Sequence, residues 1–176
     1  MSIKQVLPGQ NVPNEINVII EIPSQSDPVK YEFDKESELL FVDRFMNTSM
    51  RYPCNYGYIP QTLAQDKDPC DVLVLCPFSV MSGAIVRCRP VGVLDMEDEA
   101  GPDEKLLAVP VDALTPIYSH IHSIEDISPV EKNAIQHFFA HYKDLELNKW
   151  VKIKGWLDYN EACRLILEGI ERFKQG

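Results

Sequence analysis

The sequence predicts a mostly β chain of the α+β class, a β-barrel with two late α-helices packed outside it. Three observations carry that prediction. Short alternating runs rich in Val, Ile and aromatics fill most of the chain. Pro, Gly and Asn break them at close intervals. Helical periodicity appears only twice, both times late.

The first run, "INVIIEIP", alternates, with Ile16, Val18, Ile20 and Ile22 on one face and Glu21 on the other. "KYEFD" places Lys30, Glu32 and Asp34 opposite Tyr31 and Phe33. "LLFVDRF", "DVLVLCP", "AIVRCRPVGVLDM", "KLLAVPV" and "KWVKIKGW" supply further strands, separated by turn signals at "PCNYG", "MSG" and "AGPD". The first helix, in "SPVEKNAIQHFFAHYKDLE", starts with Ser128 as N-cap and Pro129 at the first helical position. The second begins near Asn160 and carries Ala162, Leu165, Ile166 and Ile170 on one side. With no internal repeat, low-complexity tract or linker, residues 1–176 read as a single domain.

Composition narrows the function classes. At 45% hydrophobic residues the chain can build a core, yet its apolar runs are too short to span a bilayer. The N-terminus lacks the apolar segment of a secretory signal, and five cysteines without metal-like spacing read as reduced thiols. A cytoplasmic protein is expected. The 27 acidic against 17 basic residues, a net charge of -10, argue against a general grip on nucleic acid or anionic membrane. They suit a protein that gathers divalent cations, and equally an ordinary soluble one.

The chemistry concentrates in "AQDKDPCDVLVLCP". Asp66, Asp68 and Asp71 crowd three like charges against the start of an apolar run, a placement that something cationic would relieve. Pro69 stiffens the turn, and hard oxygen ligands suit Mg²⁺, Mn²⁺ or Ca²⁺. An EF-hand is excluded, because Asp71 stands where its Gly belongs and Pro77 where its Glu belongs. Taken alone, the stretch reads equally well as a solvated acidic turn. In "MEDEAGPDEKLLAVPV", Asp98 and Asp103 bracket a turn, and Lys105 would share a strand face with Asp103. Lys30 and Glu32 repeat that pairing of base and acid; an exposed charged hairpin is the bland alternative. Arg44 ends a strand, Tyr52, Tyr56 and Tyr58 surround a loop, and Tyr142 and Lys143 fall in the last turn of the first helix. His137 and His141, one helical turn apart, lack the zinc-protease pattern and read as a buried or interfacial pair.

Together these residues resemble the soluble family I inorganic pyrophosphatases of the bacterial type. "DKDPCDVLVL" follows the family's aspartate signature except at Lys67, where a small or polar residue is usual, and Cys70, where an aliphatic one is. Neither departure removes a carboxylate. The likeness continues in order through "IEIP", "KYE", "DRFM", "YPCNYGYIP", "RCRPVGVLDMEDEAG", "HFFAHYKDLE" and "KWVK".

The resemblance implies an OB-like five-stranded barrel, several Mg²⁺ ions (up to four in the substrate complex) and a homo-oligomer, with a hexamer favoured. It implies Asp66, Asp71 and Asp103 as ligands of a first metal, Asp71 being shared with a second. Asp98 and Asp103 would hold metals that arrive with substrate, Glu32 would lie near a further ion, and Glu21 would order water. Asp68 is implied as the general base, with Tyr56 as a phenol beside the metal–water cluster. Lys30, Arg44, Lys105, Tyr142 and Lys143 would bind phosphate, and the first helix would form a subunit contact holding His137 and His141.

The chemistry is consistent with that set. Two metals roughly 3.5–4 Å apart can share a water and lower its pKa, which requires bridging and unshared carboxylates. Cationic side chains then neutralise the departing phosphate. Hydrolysis of pyrophosphate is therefore the expected activity. A hydrolase of organic diphosphates would want a base-binding pocket, and an OB-type nucleic-acid module a basic aromatic groove; the sequence offers neither.

Overall fold

The computed structural model describes residues 3–176. Five strands close into a ring: β1 (Ile16–Ile22), β4 (Asn55–Tyr58), β5 (Asp71–Val74), β8 (Lys105–Pro110) and β6 (Ile85–Asp98), which returns to pair with β1. Only β5 and β8 run parallel; the other ring pairings are antiparallel. Strand β6 is long enough to serve three partners. Its first residues pair with β1, its middle with β8, and its far end with β7 (Gly101–Pro102) and β9 (Val151–Leu157). A separate hairpin joins β2 (Val29–Phe33) to β3 (Leu40–Phe45).

Alternation along the strands sends side chains into two cores. On β5, Val72 and Val74 join the cluster that packs against α2 (Tyr159–Gln175), while Leu73 joins the cluster against α1 (Pro129–His141). Leu106 and Ala108 on β8 likewise pack toward α2, and Leu107 and Val109 toward α1. Both faces of β1 are therefore covered, so Glu21 is buried as well as its isoleucine neighbours. Two glycines permit the geometry. A Cβ on Gly57 would lie 2.0 Å from the Ile19 carbonyl oxygen, so β4 can approach β1 only without one. Gly155, at φ +138°, takes up the register shift where β9 bends along β6.

Both helices begin as the sequence predicts. The Ser128 hydroxyl accepts from the Glu131 N–H ahead of Pro129, and Asp158 caps α2 by accepting from Glu161 N–H. Ala162, Leu165, Ile166 and Ile170 form the buried stripe of α2.

Four expectations are corrected. "PCNYG" is not simply a turn: Pro53 and Cys54 lead directly into β4. "AGPD" contains the two-residue strand β7, and β8 starts at Lys105, so Asp103 precedes the strand. Lys143 lies just past α1, whose C-cap is Tyr142, because the chain tightens into turns after His141. Of the buried or interfacial pair expected at His137 and His141, the buried alternative is excluded: the rings, centroids 4.7 Å apart, are exposed on this chain, because α1 buries Ile135, Phe138 and Phe139 on its other side.

Candidate active site

Strand ends and loops from both cores open onto a cavity of about 680 Å³. All thirteen residues that the resemblance implies for metal, substrate or catalysis line it: Glu21, Lys30, Glu32, Arg44, Tyr56, Asp66, Asp68, Asp71, Asp98, Asp103, Lys105, Tyr142 and Lys143. They come from β1, the β2–β3 hairpin, β4, the loop entering β5, the corner from β6 to β8, and the end of α1.

The acidic loop is folded by its own groups. Asp66 Oδ1 accepts from the Asp68 N–H at 3.0 Å, and Lys67 turns the chain between them at φ +70°. Burial raises the Asp66 carboxyl above its usual range, and the charges of Asp68, Asp71 and Asp103 add to that rise. The Lys105 ammonium is the local counter-ion, 2.5 Å from Asp71 and 2.6 Å from Asp103, with its side chain only 5% exposed. Burial opposes its charge, but Asp71 and Asp103 outweigh that and hold its pKa well above normal. The same nitrogen stands 5.7 Å from the centre of the Tyr56 ring. The Tyr56 phenol is itself pushed well up by burial, then by Asp71, so it stays protonated.

Glu21 occupies a different environment. Burial pushes its carboxyl up to about 8, although it accepts a hydrogen bond from the Phe33 N–H at 2.9 Å. Its neighbours Asp71 and Glu32 raise it further.

Cations line the wall formed by the hairpin and the end of α1. Lys30 and Arg44 sit directly opposite each other in the β2–β3 register, a like-charge pairing that destabilises a hairpin unless anions answer it. In this structure the anions are Asp43, 3.0 Å from Lys30, and Glu146, 3.3 Å from Arg44. Lys143 reaches Asp98 at 2.6 Å and lies 5.5 Å from the Tyr142 ring centre. The aromatic stack of Tyr52, Phe138 and Tyr142 supports this wall from the α1 core.

The donor set fits divalent cations: oxygen ligands on several elements, mutual repulsion at Asp66, and a buried ammonium already balancing Asp71 and Asp103. Among the described residues, no three His, Cys, Asp or Glu side chains are already gathered as a coordination sphere. Asp71 and Asp103 turn toward Lys105 instead.

The sequence reading missed other lining groups. Lys35 pairs with Asp68 at 2.7 Å, and Glu99 and Lys149 pair at 3.6 Å. Lys149 lay within the quoted "KWVK", but nothing in its spacing linked it to residues fifty positions earlier.

A family model described as "Inorganic pyrophosphatase" matches residues 18–174. The chain belongs to that family. It is 56% identical over 173 residues to the inorganic pyrophosphatase of Xanthomonas campestris pv. campestris, covering 98% of this chain and 97% of that one. The inorganic pyrophosphatase of Ralstonia nicotianae is 55% identical over 175 residues, covering 99% of this chain and all of the other. The solved structure of the Coxiella burnetii inorganic pyrophosphatase superposes with a TM-score of 0.92 at 55% identity, covering 96% and 99% of the two chains. The ring of five strands and its two helices are thus those of a bacterial family I pyrophosphatase, a metal-dependent class of hydrolase. Among the described residues, no helix is long and apolar enough to cross a membrane.

Proposed function

We propose that the chain hydrolyses inorganic pyrophosphate to two phosphates, by direct attack of water and without a covalent phosphoenzyme. One observation carries the reading: carboxylates and cations far apart in sequence line one cavity, as a substrate that is both anionic and metal-bound requires. Membership of the inorganic pyrophosphatase family supports it independently.

Asp66, Asp71, Asp98 and Asp103 are the metal-holding residues of this proposal, with Glu32 and Glu21 near further ions or ordered water. Bound Mg²⁺ ions, up to four with substrate, would supply charge neutralisation and a water of lowered pKa. Asp68 takes the proton of the attacking water, because it sits on the acidic loop at the cavity yet is more exposed than Asp71. Lys30, Arg44, Lys143 and Tyr142 orient the phosphates and offset the charge that builds on the departing one. Lys105 balances Asp71 and Asp103 when cations are few and turns to phosphate when they bind. Tyr56, protonated and buried, donates beside the attacked group.

Mg²⁺ is the proposed resident ion, the cytoplasm the proposed setting and a homohexamer the proposed assembly. The exposed His137–His141 face of α1 is then a subunit contact.

Phosphate release measured with pyrophosphate and with ATP, each with Mg²⁺ and with chelator, tests the reading. Rapid Mg²⁺-dependent release from pyrophosphate, with little from ATP, is expected. Release from ATP at a comparable rate would point to organic diphosphates instead.

A further inference from the structure

Glu146 has no part in the chemistry described above and does not line the cavity. Even so, its side chain is only 12% exposed, which is unusual for a carboxylate on a loop. It is held there by the chain itself. After α1 the backbone makes two successive turns, with Asp144 N–H donating to His141 and Glu146 N–H donating to Lys143. Those turns carry Glu146 behind the cationic wall. Its Oε2 lies 3.3 Å from the Arg44 guanidinium and 4.0 Å from the Lys149 ammonium. Lys149 continues to Glu99 at 3.6 Å, Glu99 lies 3.8 Å from Lys143, and Lys143 meets Asp98.

Acid and base alternate along that line, which ties three separate elements together: the β2–β3 hairpin, the segment after α1, and the corner beyond β6. Arg44 is the only link contributed by the hairpin, and Glu146 is its only ion-pair partner among the described residues. Without Glu146, Arg44 would face Lys30 across the hairpin with nothing to fix its direction. A guanidinium carries five N–H donors, and Glu146 faces one terminal nitrogen at 3.3 Å, while the other terminal nitrogen has no ion-pair partner among the described residues. The pairing can therefore aim the fork without using up its capacity for an anion.

We infer that Glu146 is a positioning residue, which fixes Arg44, and through it the hairpin, in the orientation that binds the phosphate of the substrate. The inference rests on the reading of Arg44 as a phosphate-binding group. It concerns a carboxylate that touches neither substrate nor metal, so its effect should reach the reaction only through Arg44, in phosphate binding and in the charge that Arg44 offsets.

The test is steady-state hydrolysis of pyrophosphate at saturating Mg²⁺ by the unaltered protein, Glu146→Ala and Glu146→Gln, each also in an Arg44→Lys background. Glu146→Ala should lower kcat/KM about tenfold with KM raised, the scale of one partly buried contact to a charged group. Glu146→Gln keeps an acceptor of the same shape, so it should recover part of that loss at an unchanged melting temperature. In the Arg44→Lys background the Glu146→Ala effect should shrink to less than about twofold, since coupled groups are not additive. An unchanged KM, or equal effects in both backgrounds, would overturn the inference. A lower KM would also overturn it, because Glu146 would then be competing with substrate for the guanidinium. If the unaltered protein released no phosphate, the reading of the site would fail first, and this inference with it.

Discussion

The Lys105 ammonium lies 2.5 Å from the Asp71 carboxylate, in a pocket that leaves the lysine side chain almost no contact with water. Asp103 completes the arrangement at 2.6 Å. In the proposed function, a buried cation in that position balances charges that divalent ions would otherwise balance, so metal binding and this ion pair should be linked.

Replacing the lysine tests that link. Lys105→Met should destabilise the metal-free protein by about 1–3 kcal/mol, because it leaves two partly buried carboxylates without a counter-ion. Mg²⁺ should restore most of the loss by taking over the charge balance. Thermal melts of both proteins, with chelator and with Mg²⁺, report the difference. Equal destabilisation under both conditions would separate the lysine from the metal site.

Glu21 predicts a pH dependence. Burial raises its pKa from 4.5 to about 8, so between those values the folded protein holds a proton that the unfolded chain has released. Stability in chelator should therefore be fullest below pH 4.5 as far as this group is concerned, and fall as pH rises toward 8. The slope for that one proton approaches about 1.4 kcal/mol per pH unit. Glu21→Gln should flatten the decline. Denaturant melts across pH 5–8 would show it, and a wild-type curve no steeper than that of the variant would contradict it.

Lys67 should be a site of stored strain. It adopts φ +70°, a left-handed conformation that costs residues with a Cβ and that glycine takes freely. Lys67→Gly should raise stability by up to about 1 kcal/mol. A lower melting temperature would mean that the lysine side chain contributes more than its backbone costs.

The fold was legible wherever a single periodicity decided an element. Ser128 and Pro129 announced α1, and the Ala162–Ile170 stripe announced α2. It was less legible where residue type misleads. Asn55 looks like a turn residue, but it is fully buried in β4, where its side chain accepts from Ser24 and Val80 N–H groups and donates to the Phe78 carbonyl. It serves the loops of its neighbours rather than a turn of its own. Glu21 was placed only on the face of β1 opposite its isoleucines, because alternation in one strand cannot reveal that both faces of the sheet are covered.

The candidate site divides along the same line. Asp66, Asp68 and Asp71 stood out because like charges so close in sequence demand an explanation. Lys30, Arg44, Lys105 and Lys143 gained meaning from the family resemblance, and the cavity then brought all of them together. Glu146, Glu99, Lys149 and Lys35 carried no such signal. Each matters through a partner distant in sequence, such as Arg44 for Glu146 and Asp68 for Lys35, and those pairs form only where the β2–β3 hairpin meets the acidic loop and the segment after α1.

The most direct measurement pairs Mg²⁺-binding calorimetry with turnover for the unaltered protein and Asp68→Asn. The account predicts that the variant keeps its Mg²⁺ affinity within a few-fold while phosphate release from pyrophosphate falls about 10²–10⁴-fold, the range for loss of a general base. Loss of Mg²⁺ binding in the variant, or turnover that survives the substitution, would contradict the assignment of Asp68 as the base.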